Sequence, residues 1–348
     1  MTVAQAGKRR RGNGPTIHTI ADAAGVSTAT VSYVLNDRDL TDDRIRITPA
    51  TRLRVLQAVD RLGYRANSMA RGMRRGTTEQ VCLALSHLDS PWTQAMIAAV
   101  SERVHRIGMT CLLLIDQNWQ EFLARRGADG AVIQGHALTD DDVDRLRTLG
   151  ERGVPVVALD CDVEPDGFDV VRQRWRPALE QAVTSLLGRH ERLACLTRGG
   201  GEHPTDDRRY RVYADVLRRA GREIDPTMVR GVEADRYRAY RVALDLLDRS
   251  DRPTAVFAIN DLAAISTLWA AHRLGITVPD ELEVIGVGNS PEGVLADPPL
   301  STVGPESVFG VVADLLVARL TNRDGPSGRV HDSDWSFYPR STTREEQS

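Results

Sequence analysis

Apolar residues in the first part of the chain recur at helical spacing. In TIHTIADAA, Ile17, Ile20, Ala21 and Ala24 share one face, and Thr16 stands where a helix N-cap is needed. Gly25 then predicts a tight turn, Val26 fills its angle, and Ser27 caps a second helix running to about Asn36 with Val31, Val34 and Leu35 on its apolar side. A third helix is predicted over ITPATRLRVLQAVDRLGY, with Thr48 as cap, Pro49 at its first position, Gly63 at its end and a stripe of Val55, Leu56, Val59 and Leu62. From about Glu79 the pattern changes. Short apolar runs (VCLAL, MTCLLLI, GAVIQ, VPVVAL, RLACLT, TAVFAI, LEVIGVG) alternate with amphipathic stretches such as WTQAMIAAVSERVHRIG, DDVDRLRTLGERG, PALEQAVTSLLG and DDRRYRVYADVLRRAG, with further helices around 235–249 and 262–274. This alternation predicts α/β architecture with doubly wound parallel sheets, and roughly ten strand candidates are too many for one comfortable sheet, so two lobes are expected.

The exposed side of the second helix is chemically specific. Two helices paired only for packing would not require Thr28, Ala29, Ser32 and Tyr33 on the outer face. Short, polar or methyl-bearing side chains let a helix lie deep in a major groove and touch base edges, as in a helix-turn-helix. Thr16, Ser27, Thr28, Ala29, Thr30, Ser32, Tyr33 and Asn36 are therefore the candidate DNA contacts of the small all-α domain, and the polar loop 37–47 is placed to skirt phosphates. Charge supports this division. Residues 1–78 carry a net +8 and the remainder a net −11, so a polyanionic partner is expected for the head alone.

After the third helix comes YRANSMARGMRRG. The order TIADAAGVSTATVSYVLN, TR-VL-AVD-LGY and N-x-x-A-R-x-M-R-x-G resembles the LacI/GalR family of bacterial transcription regulators, and the resemblance covers essentially the whole chain. It implies that the last segment is a hinge that becomes helical on DNA and enters the minor groove as one of a pair. Asn67, Ala70, Arg71 and Met73 fall in that segment, with Met73 as the apolar wedge where leucine is usual. Tyr33 stands where the family often has arginine or histidine, so a different base preference is expected there; loop 37–47 is longer than usual.

For the body, the resemblance implies a two-lobed periplasmic-binding-protein-like fold with an effector between the lobes, a homodimer and a roughly palindromic operator. The expected boundaries are a basic arm 1–15, the helix-turn-helix domain 16–66, the hinge 67–78 and the body 79–340. The body's lobes are 79–172 with 304–325, and 173–303; a polar tail 341–348 follows. Carried over residue by residue, Trp92, Asp160, Arg209, Asn260 and Asp261 are candidate effector contacts. Arg174 and Trp175 replace an Asp-Asn pair common in the family, and Asn289 lies where an aspartate usually grips sugar hydroxyls. The implied effector is a sugar, a sugar derivative, or an anionic or aromatic metabolite. Structural roles stand beside these: Asp261 as a helix cap, Arg209 paired with Asp206, Trp92 as core. The tail STTREEQS shows no heptad pattern, which disfavours a C-terminal coiled coil.

Other functions find little support. GGGEHP and GVGNSP are neither GxGxxG nor Walker motifs, and no GxSxG or HExxH occurs, so neither catalysis nor a cofactor is expected. Cys82, Cys111, Cys161 and Cys195 sit singly in strand-like runs and are expected as buried reduced thiols rather than metal ligands. No apolar run has the length of a membrane helix, and no signal-like segment opens the chain, so a cytoplasmic protein without a membrane partner is expected. The alternative function is a small-molecule binding protein without DNA-directed output; salt-sensitive binding to duplex DNA separates the two.

Overall fold

The computed structural model describes residues 15–35, 47–64, 76–86, 88, 90–115, 118–134, 138–160, 163–199, 207–233, 235–322 and 328–344. The chain divides into two units, Met1–Thr78 and Glu79–Ser348.

In the first unit, α1 (Ile17–Ala24), α2 (Thr28–Leu35) and α3 (Pro49–Leu62) form where capping predicts them. Thr16 accepts from the Thr19 amide while Thr19 Oγ1 accepts from the Thr16 amide, so each satisfies a donor the other leaves open. Gly25 ends α1 at φ +65°, a left-handed conformation in which its N–H and that of Val26 close on carbonyls of α1. Ile20, Ala21, Ala24, Val31, Val34, Val55 and Ala58 are buried together and make the core. One position of the predicted stripe fails. Leu56 is 45% exposed, and Ala58 takes the inward place because the helix presents 55, 58, 59 and 62 to its neighbours.

The second unit carries β1 (Gln80–Leu85), α4 (Pro91–Arg106), β2 (Thr110–Ile115), α5 (Trp119–Ala124), β3 (Gly130–Gln134), α6 (Asp140–Glu151), β4 (Val156–Asp160) and β5 (Asp169–Arg174). Then follow α7 (Arg176–Leu187), β6 (Leu193–Arg198), α8 (Arg208–Arg219), β7 (Val229–Val232), α9 (Arg236–Leu247), β8 (Ala255–Ala258), α10 (Asp261–Leu274) and β9 (Glu283–Val287). The last elements are α11 (Pro291–Val294), β10 (Ser301–Pro305), α12 (Val308–Thr321) and β11 (Val330–Tyr338). The strand order is β2-β1-β3-β4-β5-β11-β10-β9-β8-β6-β7. Each lobe thus repeats one doubly wound pattern, β2-β1-β3-β4-β5 and β7-β6-β8-β9-β10, with parallel pairing inside each. Apolar clusters cover both faces of both sheets, as a parallel sheet requires.

β11 joins the lobes. Its first half runs parallel to β5 and its second half antiparallel to β10. This strand is not among those the apolar runs predict, and Trp335 is the one buried residue of its nine. The chain also crosses after β5 and after β10, and α12 packs back on the first lobe's core through Val308, Val312 and Leu316. The expected polar tail needs correction, because Thr342 and Thr343 are buried. Thr342 Oγ1 accepts from the Ser301 amide at 2.8 Å and donates to the Val284 carbonyl at 2.7 Å, which fastens the segment to the second lobe. Cys82 and Cys195 are buried free thiols and Cys111 is half-buried; Cys161 lies outside the described residues. No helix among the described residues is long and apolar enough to cross a membrane.

Candidate functional site

The outward face of α2 follows from its inward one. With Val31 and Val34 buried against α1 and α3, Ala29 is exposed and Thr28, Ser32 and Tyr33 are half-exposed on the other side. Ser27 Oγ accepts from the Thr30 amide at 3.1 Å, so Ser27 and Thr30 order the helix start rather than only lining it. Thr16 caps α1 in the same way and is exposed. Asn36, Asn67, Ala70, Arg71 and Met73, like loop 37–46, lie outside the described residues.

In the second unit, the strand order reverses beside β1 and β3 in one lobe and beside β6 and β8 in the other. Ligands of doubly wound folds bind past the carboxyl ends of strands at such points. Trp92 opens α4 just after β1, Arg198 ends β6, Arg209 lies in the first turn of α8, and Asn260 and Asp261 follow β8. Trp92 packs edge-to-face on Phe309, with centroids 5.1 Å apart, and its ring comes within 3.6 Å of where a Cβ on Gly288 would stand. Residues of both lobes therefore meet there. Several buried polar atoms at these strand ends have no hydrogen-bond partner among the described residues: Trp92 Nε1 and Gln134 Oε1 on one lobe, Thr197 Oγ1 and Trp335 Nε1 on the other. Buried polar atoms are normally paired, so each of these four could exchange a hydrogen bond with a polar ligand.

Arg209 is positioned on three sides. Its guanidinium donates to the Ile259 carbonyl at 2.6 Å and lies 5.4 Å from the Trp335 ring centroid, while its amide donates to the Asp207 cap. Arg198 is 3.9 Å from the same Asp207 carboxylate; burial lowers its pKa and Asp207 opposes that shift.

Asp261 has a different setting from the one expected of an open ligand contact. It is 2% exposed, and its oxygens accept from the Ser290 amide at 2.7 Å and the Thr302 hydroxyl at 2.6 Å. Burial raises its pKa, against those hydrogen bonds and the charge of Arg209. Gly286 and Gly288 are required beside it, since a Cβ on Gly286 would stand 2.5 Å from Asp261 Oδ1. Asp261 thus pins loop 288–290 to the start of α10. Asn260, rather than Asp261, caps that helix by accepting from the Ala263 amide at 2.8 Å.

The remaining candidates are spread along the lobe crossings. Asn289, at φ +49°, donates to the Pro305 carbonyl at 3.1 Å and accepts from Arg340 at 2.7 Å. Arg174 is exposed and ion-paired with Asp332 at 2.6 Å, so its charge is already matched. Trp175 packs against the second lobe's core. Asp160 ends β4 opposite Arg172, and its side chain lies outside the described residues. Gln134, Arg198, Thr302 and Trp335 are not among the residues expected from the sequence. The first two end strand-like runs and were findable by that rule; the other two become relevant only through contacts made by distant segments.

Comparison with known proteins agrees with this architecture. Residues 16–67 match the family described as bacterial regulatory proteins, lacI family, and residues 186–343 match a periplasmic binding protein-like domain. The HTH-type transcriptional repressor PurR of Photobacterium profundum is 28% identical over 320 residues, covering 89% of this chain and 93% of that protein. The HTH-type transcriptional regulator DegA of Bacillus subtilis is 28% identical over 296 residues, 83% of this chain and 86% of that one. Among solved structures, the lac repressor dimer bound to operator and the anti-inducer ONPF superposes with a TM-score of 0.68 at 22% identity, over 95% of this chain and 99% of that one. A CelR-cellobiose complex gives 0.59 at 25% identity, over 94% and 99%. With the lacI-type head, the two-lobed binding-protein body and relatives along nearly its whole length, this chain belongs to the LacI family and is a DNA-binding transcriptional regulator.

Proposed function

We propose that the protein is a repressor that binds a palindromic operator as a homodimer and changes its grip when a small polar metabolite occupies the cleft. The carrying observation is the outer face of α2, where Thr28, Ala29, Ser32 and Tyr33 stand exposed or half-exposed on a head of net +8. Such a helix reads bases in the major groove while the surrounding arginines hold phosphates. The proposed wedge is Met73. On the body, Arg198 and Arg209 supply donors for an acceptor-rich or anionic edge, and Trp92 and Trp335 supply ring faces with polar edges. This favours an anionic or aromatic ligand over a neutral sugar, although Arg174 adds nothing to it because Asp332 matches its charge.

The dimer is supported by an apolar group on the second lobe. Tyr237 is 67% exposed, Trp269 44% and Leu295 84%, and Arg236, next to Tyr237 in the chain, pairs with Glu292 and lies over the Trp269 ring.

Selection of bound duplexes from a random DNA pool, at two salt concentrations, tests the reading. An enriched palindrome is expected. Salt-sensitive binding without any enriched sequence would refute specific recognition. The Tyr33→Arg variant is expected to shift the preferred base within the half-site toward guanine; an unchanged site removes Tyr33 as a reader.

A further inference from the structure

A cavity lies on the second lobe. Its volume is about 430 Å³, and it is formed where α7 meets the end of β11 and the docked C-terminal segment. Gln181, Ser185 and Arg189 recur at four-residue intervals and so present one face of α7 and its continuation to it. Arg340 and Arg344 face them, and Phe337 supplies an apolar wall.

The charge is unbalanced. Among the described residues, three guanidiniums line this cavity and no carboxylate does. Glu283, fully buried behind them, pairs with Arg189 at 2.8 Å and lies 3.8 Å from Arg344. Arg340 donates at 2.7 Å to the Leu300 carbonyl and at 2.7 Å to Asn289 Oδ1, both neutral. The buried Glu283 thus pairs with two of these arginines and the Asp261 charge reaches Arg340 from behind, which leaves the guanidiniums facing a concavity walled by hydroxyl, amide and aromatic groups.

We propose that this cavity binds the phosphate group of a small metabolite. Guanidiniums match phosphate oxygens in pairs, the Gln181 amide adds a neutral hydrogen bond, and the volume leaves room for an organic body beside Phe337. The site also has a mechanical connection. Arg340 holds Asn289, and Asn289 holds the Pro305 carbonyl where β10 leaves the second lobe for the first. Asp261 grips the neighbouring Ser290 from the cleft side. An anion drawing on Arg340 therefore bears on the same loop that the cleft uses, and the two sites are coupled through it.

Titration calorimetry on the full chain tests this with inorganic phosphate and, separately, glycerol 3-phosphate. One saturable site per chain is expected. Arg344→Ser and the cavity-filling Ser185→Trp should each weaken it about tenfold or more, the loss of one charge-assisted hydrogen bond or of the space itself. Tighter binding of the ester identifies a phosphorylated metabolite, and equal binding identifies free phosphate. Absence of saturation with both probes overturns the proposal. So does binding that survives both variants but disappears in Arg209→Ala, which would put the anion in the interlobe cleft.

Discussion

Two carboxylates show how a residue's role is set by what surrounds it. Asp261 was legible in FAIND as a polar residue after a strand, but the partners that occupy its oxygens come from 29 and 41 residues later in the chain. Removing it leaves two buried donors unpaired, so Asp261→Ala is expected to lower stability by about 2–4 kcal/mol, read as a shift in urea midpoint. Unchanged stability would mean that loop 288–290 is held by other contacts. Glu283 is a stability group of the opposite kind. Burial pushes its pKa up, but hydrogen bonds from His190 and Arg189 and the Arg189 charge outweigh this and hold it at about 2, against an ordinary 4.5. A folded pKa below the unfolded one adds stability at higher pH that is lost as pH falls through the folded value. Between about pH 4.5 and 2 the protein should therefore lose stability, and Glu283→Gln should flatten denaturant midpoints measured across that window.

At the scale of elements, caps and glycines carried most of the prediction. Thr16, Thr48, Gly25 and Gly63 fall where the sequence places them, because capping is local chemistry within four residues. Gly25 provides a clean test, since a Cβ there would meet nothing within 4 Å and only the left-handed backbone opposes a side chain. Gly25→Ala is expected to cost about 1–2 kcal/mol and to speed hydrogen exchange in α1 and α2 several-fold; exchange at the parent rate would show that the turn tolerates alanine. β11 escaped notice for the converse reason. Its residues DSDWSFY neither alternate cleanly nor form an apolar run, and its strand state comes from backbone pairing with β5 and β10, distant in sequence.

For the whole molecule, repetition of one strand order gives each lobe its own set of strand ends, and the chain passes between the lobes three times, the last time as β11 paired to both. The proposed dimer belongs to the same scale, because a palindromic site would require two heads at a set spacing. Trp269→Glu puts a charge into the proposed dimer contact beneath Arg236. Sedimentation of this variant should give the monomer mass, and operator affinity should fall with it. A persisting dimer would move the interface elsewhere on the body.

The amino-acid sequence by itself determined the three capped helices, the basic head, the α/β alternation and the strand ends from which cleft residues come. Periodicity, capping and charge act over a few residues and can be read there. Tertiary structure alone decided that Asp261 is a buried strut, that Arg174 is neutralised by Asp332, that Thr342 and Thr343 dock, and that three arginines from α7 and the C-terminal segment surround one cavity. Each of these depends on which distant groups meet, and pairing across tens to more than a hundred residues leaves no periodic trace in the chain.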